Sequence, residues 1–157
     1  MAVVATPSES DIGVIISEYL HLEGPLLPIL HAVQNAYGYI PEQAQTPIAE
    51  ALNITGAELH GVVSFYHDFR AAPAGRHVIK ICQAEACQAV GASGLGAETL
   101  AKLGLDWNGT TDNGAVTIEP VYCLGLCACG PAVIVDDRVV GRVDAERMNR
   151  LLEETGA

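Results

Sequence analysis

The chain has 157 residues, half of them apolar, which is enough for a core that needs no disulfides, and it carries a formal charge of −11 with only eight Lys and Arg. Such a charge repels a phosphate backbone and no basic stripe interrupts it, which excludes nucleic acid as a partner and argues against anionic membrane surfaces. No apolar run reaches the ~20 residues of a spanning helix, and the start lacks the basic and apolar regions of a signal peptide.

Residues 1–8 show no periodicity and read as a frayed tail. From Ser8 to about His21 the apolar positions Ile12, Ile15, Ile16, Tyr19 and Leu20 recur at helical spacing, and Ser8 with Asp11 resembles a capping box. Gly24 and Pro25 break the pattern. A second helix is expected over 25–37, with Leu26, Ile29, Leu30, Val33 and Tyr37 on one face and Gly38 at its end. Thr46 and Pro47 supply a cap and a first-turn proline for a short third helix through Leu52. Thr55 and Glu58 form a capping box for a fourth, with Leu59, Val62, Val63 and Tyr66 along one side. Residues 1–72 therefore read as a helical bundle. The aromatic run at 65–70 closes it against the second domain or meets a partner.

The composition shifts at 71–75, and residues 73–157 read as an α/β unit. A strand over 77–81 runs into Cys82, and a glycine-punctuated, flexible loop leads to a helix near 96–103. The Asp112, Asn113, Gly114 turn precedes a strand over 115–121. A hairpin over 132–135 and 138–143 turns at Asp136 and Asp137, and Asp144 caps a last helix that turns Met148, Leu151 and Leu152 inward. The order β-α-β-β-β-α is compatible with a thioredoxin-like α/β domain.

All five cysteines fall in two windows: Cys82 and Cys87 spaced C-x4-C, then Cys123 and Cys127 spaced C-x3-C, with Cys129 left over. The protein is expected in the cytoplasm, where thiols stay reduced and such clustering means metal or redox chemistry. Each pair sits at the exit of a predicted strand, where a sheet can hold two loops side by side. Two such loops supply the four thiolates of a [2Fe–2S] cluster, so Cys82, Cys87, Cys123 and Cys127 are the candidate ligands. Glycines such as Gly125 let backbone N–H groups approach the sulfurs. The oxidised cluster with its thiolates is a dianion and gains a further charge on reduction, so an acidic protein implies a low potential. The same four thiolates leave zinc open as an alternative, although x4 with x3 is an untypical zinc knuckle. Cys129 reads as a buried small hydrophobe.

Nothing else rivals this site. Gly91, Gly94 and Gly96 do not form G-x-G-x-x-G, and the five histidines are scattered without i,i+4 pairing. No Ser-His-Asp ordering occurs, and the pairs Glu153, Glu154 and Asp136, Asp137 read as solvated. No catalytic site is expected on this chain alone.

The segments 27–34 (LPILHAVQ), 37–41 (YGYIP) and 61–66 (GVVSFY), with the cysteine set closing on Gly130 and Pro131, resemble the thioredoxin-like [2Fe–2S] subunit family. That family includes the small flavoprotein-module subunit of respiratory complex I and similar subunits of NAD-reducing hydrogenases and molybdenum formate dehydrogenases. The likeness spans about residues 8–157. It implies the same four cysteine ligands, with Cys129 outside the pattern, and an electron-transfer role. Residues 60–70 (HGVVSFYHDFR) are most similar to gamma subunits of soluble NAD-dependent formate dehydrogenases. This implies a beta partner carrying FMN, the NAD site and further iron–sulfur centres, and an alpha subunit carrying the molybdenum cofactor. A zinc-stabilised interaction module and a free-standing ferredoxin are the competing functions.

Overall fold

The computed structural model describes residues 8–157. Of the tail expected over 1–8, only Ser8 is described; the rest lies outside those residues. The chain divides into two compact units, with the break after Pro73.

Among the described residues the first unit holds four helices: α1 (Glu9–Tyr19), α2 (Leu26–Tyr37), α3 (Glu42–Leu52) and α4 (Gly56–Phe65). Each is positioned by an apolar stripe at helical spacing, and together they bury Ile12, Ile16, Ile29, Leu30, Val33, Ile48 and Leu59 in one core. Burying each such side chain contributes roughly 1.5–3 kcal/mol, more than any cap. Leu20, placed inward by the periodicity, is exposed because α1 has ended before it.

The caps follow the sequence in part. Thr55 Oγ1 accepts from the Glu58 N–H at 3.2 Å and Glu58 takes the Thr55 N–H at 2.7 Å, a complete capping box. At α1 only half of it forms: Asp11 N–H bonds Ser8 Oγ, but the Asp11 carboxylate reaches the Ser8 hydroxyl rather than the backbone. Aspartate is one methylene shorter than the glutamate this motif uses. Gly38 ends α2 at φ +81, donating to Gln34 O at 2.6 Å.

The third helix differs from expectation. It begins at Glu42, not at Thr46, and carries Pro47 inside it. Pro41 takes the cap position, and the buried stripe Ala44, Ile48, Ala49 needs both halves of the helix, which outweighs the one hydrogen bond Pro47 removes. Tyr66 likewise lies beyond α4 in extended conformation and is exposed, not on the helix face.

The second unit runs β1 (His77–Cys82), α5 (Glu85–Gln88), α6 (Ala92–Leu103), β2 (Val116–Val121), a 3-10 turn (Cys127–Cys129), β3 (Val133–Val135), β4 (Arg138–Val140) and α7 (Ala145–Thr155). The sheet order is β2-β1-β3-β4, with β1 parallel to β2 and antiparallel to β3, and β3 antiparallel to β4. Alternation puts Ile79, Ile81, Val116, Ile118, Val133 and Val140 on one face, where they share a core with Leu95 of α6 and Met148, Leu151 and Leu152 of α7. Asp144 Oδ1 caps α7 through the Arg147 N–H at 2.8 Å.

Two corrections concern the stretch after Cys87. α5 was not expected, and α6 starts four residues earlier than its predicted start at 96, so Gly94 and Gly96 lie in an ordered helix and only Gly91, at φ +100, serves as a turn. Gly96 is there for space: a β-carbon on it would meet the Trp107 ring at 3.0 Å. Among the described residues no helix is long and apolar enough to cross a membrane.

Candidate metal centre

β1 ends on Cys82 and β2 ends one residue before Tyr122, with Cys123 next along the chain. Because the two strands pair in parallel with Cys82 opposite Val121, both cysteine loops leave the sheet at the same end. Cys82 is tied down by its own N–H to Ala132 O at 3.0 Å, and Cys87 sits in α5 with its N–H on Ala84 O at 2.9 Å. Both are buried, in an apolar cluster with Ala92 and Ala132, against which Val121, Leu124 and Leu126 pack.

The second pair is exposed. Cys123 Sγ and Cys127 Sγ are 3.9 Å apart. Cys123 has a φ of +78, unusual for a side chain other than glycine, and Gly125 a φ of +74; this turn aims the Gly125 N–H at Cys123 Sγ, 3.4 Å away. The N–H approach expected of this glycine is therefore present.

The electrostatics link the loops. Burial pushes the Cys82 thiol up, but hydrogen bonds from the Ala84 backbone, the Cys87 side chain and the Cys123 and Leu124 backbones outweigh it and bring the thiol below its ordinary value. Two of those donors belong to the other cysteine loop. Burial raises Cys87, and the Cys82 hydrogen bond and the charges of Cys82 and Cys127 raise it further, against one backbone bond from Ala132. Cys127 is raised by its hydrogen bond to Cys123, by the Cys123 charge, and less by burial and Cys82. Four thiolates so placed repel one another, and bound cations would relieve that repulsion.

The donor set fits a binuclear iron–sulfur group. Among the described residues no three His, Cys, Asp or Glu side chains are gathered on a single-ion site; the thiols come as two pairs at one end of the sheet, with the Cys123 and Cys127 sulfurs 3.9 Å apart. All four candidate ligands lie in these loops. The fifth cysteine, Cys129, closes the 3-10 turn that Cys127 opens. It is half-buried, less than its small-hydrophobe reading implies, and its carbonyl accepts the Arg142 N–H at 2.6 Å.

Sequence reasoning missed the backbone part of the site. Ala84, Leu124 and Ala132 act through N–H groups that any residue carries, so no side chain signals them. Gly130 enters the sequence reading only as the close of the motif; a β-carbon there would lie 2.9 Å from Val90 Cγ2 and 3.4 Å from Cys87 Sγ. Other readings change little. His77 Nδ1 pairs with Asp136 at 2.8 Å and Arg138 with Glu154 at 2.7 Å, so two carboxylates read as solvated hold partners.

Residues 12–156 match the family described as thioredoxin-like [2Fe-2S] ferredoxin. The NADP-reducing hydrogenase subunit HndA of Solidesulfovibrio fructosivorans is 31% identical over 153 residues, covering 98% of this chain and 90% of its own. A subunit of the NADH-quinone oxidoreductase of Pseudomonas aeruginosa is 34% identical over 149 residues, covering 93% and 90%. Among solved structures, a chain of an NAD+-reducing [NiFe]-hydrogenase in the H2-reduced state superposes over 81% of this chain with a TM-score of 0.67 at 24% identity, a likeness of fold alone. This chain spans only 22% of that one.

Proposed function

The chain belongs to the thioredoxin-like [2Fe–2S] ferredoxin family, and we propose that Cys82, Cys87, Cys123 and Cys127 are the ligands of its [2Fe–2S] cluster. One observation supports the assignment most directly: Cys82 stands opposite Val121 in parallel strands and the Gln83 N–H donates to Val121 O at 2.7 Å, which brings both cysteine loops to the same end of the sheet.

When bound, the cluster supplies one-electron storage, the complement of a flavin that splits the two electrons of a hydride. The chain's own residues prepare that site. Hydrogen bonds from the Ala84, Cys123 and Leu124 backbones favour the anionic form of Cys82, and the Gly125 N–H stands 3.4 Å from Cys123 Sγ. Ala92, Ala132, Leu124 and Leu126 keep water from the buried pair. Cys123 and Cys127, both exposed, present the side of the site a redox partner can approach.

The role is that of an electron-transfer subunit in an NAD-linked oxidoreductase, beside an FMN- and NAD-binding subunit, with residues 1–72 as a docking module, 73–157 as the electron carrier, and the cytoplasm as its compartment. The relatives' names support this reading through hydrogenase and NADH-quinone oxidoreductase subunits. The run at 60–70 supports the finer one, the gamma subunit of a formate dehydrogenase with a molybdenum-bearing alpha subunit.

The test is composition. Chain purified without oxygen should hold about two irons and two acid-labile sulfides and give a low-temperature EPR signal when reduced. Zinc as the sole metal would overturn the cluster. Tagged chain purified from its own cells separates the parent complexes: co-eluting molybdenum with formate-dependent NAD reduction supports formate dehydrogenase, hydrogen- or quinone-dependent activity the relatives' complexes, and elution as a lone small protein the free ferredoxin.

A further inference from the structure

Away from the cysteine loops, three of the chain's eight basic residues surround one cavity. Arg138 opens β4, the strand at the edge of the sheet, and Arg147 and Arg150 stand on α7. Together with Val139, Leu151 and Glu154 they line a concavity of about 290 Å³. The spacing explains the convergence. Residues 147, 150 and 154 recur at three and four, which sets them along one flank of α7, while Met148, Leu151 and Leu152 turn into the core.

Their present partners hold them loosely. Arg138 reaches Glu154 at 2.7 Å and Arg150 reaches Glu146 at 2.8 Å, and all four side chains are more than half exposed. Solvated pairs of this kind contribute little and exchange readily. Arg147 gives one N–H to Gly141 O at 2.8 Å, which fixes its direction and leaves donors of the guanidinium uncommitted to that bond. Three guanidinium groups thus stand beside two carboxylates, in a chain whose formal charge is −11.

We propose that this arginine cavity is a docking site for an acidic peptide segment of a partner subunit, an inference that rests on the subunit role above. A guanidinium matches a carboxylate with two parallel hydrogen bonds, and several can be offered at once here. Charge decides the register. An acidic segment is repelled by most of this surface and finds a favourable field at the arginines, whereas a basic segment would be attracted almost anywhere. The half-open form admits side chains presented on a peptide, and Val139, 46% exposed, offers apolar surface for their stems.

The experiment uses the full chain with its iron and sulfide content measured on the same sample. Fluorescein-labelled pentaglutamate is titrated at low salt and followed by anisotropy. The expected result is saturable binding that weakens roughly tenfold in Arg138→Gln/Arg150→Gln, the loss of one or two charge-assisted bonds. Arg142→Gln, an arginine outside the cavity, should leave it unchanged. No saturable binding, equal weakening by Arg142→Gln, or displacement by inorganic phosphate at concentrations as low as the peptide's own would overturn the docking site. Because iron content is read separately, failure here with the cluster intact leaves the cluster assignment standing, and a chain without iron that still binds the peptide leaves the docking site standing.

Discussion

Gly130 packs directly against Cys87: a β-carbon at position 130 would stand 3.4 Å from Cys87 Sγ and 2.9 Å from Cγ2 of Val90. A β-carbon alone must push aside the Val90 methyl, and a branched side chain also crowds the Cys87 sulfur. Gly130→Val should therefore lower bound iron well below that of the parent chain and cost the second unit about 1–3 kcal/mol by overpacking. Iron analysis and urea unfolding followed by visible absorption check this; unchanged iron would mean the loop relaxes around the extra carbons.

The cysteines should divide into two classes. Cys82→Ala and Cys123→Ala should each abolish the reduced EPR signal, since a cluster with three thiolates lacks one side of its shell. Cys129→Ala should keep signal and iron, at a packing cost of ~1 kcal/mol. Loss of the signal in Cys129→Ala, with retention in either of the others, would reverse the assignment.

Removing the metal should loosen the second unit and spare the first. Chelation under reducing conditions frees the thiol pairs, which then repel one another once ionised, and the two loops lose their tie. Limited proteolysis should then cut within 83–91 and 122–131 and leave the four-helix segment at its original rate. Equal cleavage of both units would show that the tie between the loops is not what the metal provides.

The α4 cap gives a pH dependence whose sign is set by Glu58. Hydrogen bonds from the Thr55 backbone and then its hydroxyl hold the Glu58 carboxyl below its ordinary value, against a small opposing effect of burial. A depressed carboxylate stabilises the fold fully above its unfolded value, and that contribution is lost as pH falls through the lower folded value. Glu58→Ala should thus be less stable than the parent at neutral pH and approach it in acid. Thr55→Ala should cost ~1 kcal/mol at neutral pH. Thermal unfolding by circular dichroism at both pH values reads the difference.

Much of the fold was legible because it rests on local rules. The stripe at Ile29, Leu30 and Val33, the Thr55 and Asp144 caps and the turns at Gly38 and Gly114 each depend on a few neighbouring residues, and each appears as read. Two of the misreadings share a cause. α3 runs through Pro47, and α6 begins before Gly94, because burying Ala44, Ile48 and Ala49 in one unit and Ala92 and Leu95 in the other outweighs the local penalty of proline or glycine.

At the candidate site the division is sharper. Cysteine spacing and the strands leading into it are covalent and periodic facts, so the order of residues was enough to tell which thiols come in pairs and that each pair leaves a strand. It took the folded chain to establish that β1 and β2 run parallel, which brings both exits to one end, and that the Gln83 N–H turns onto Val121 O. Strand direction and the aim of a backbone N–H depend on pairings 39 residues apart, between Cys82 and Val121. No local pattern of side chains encodes them, since every residue but proline carries the same donor.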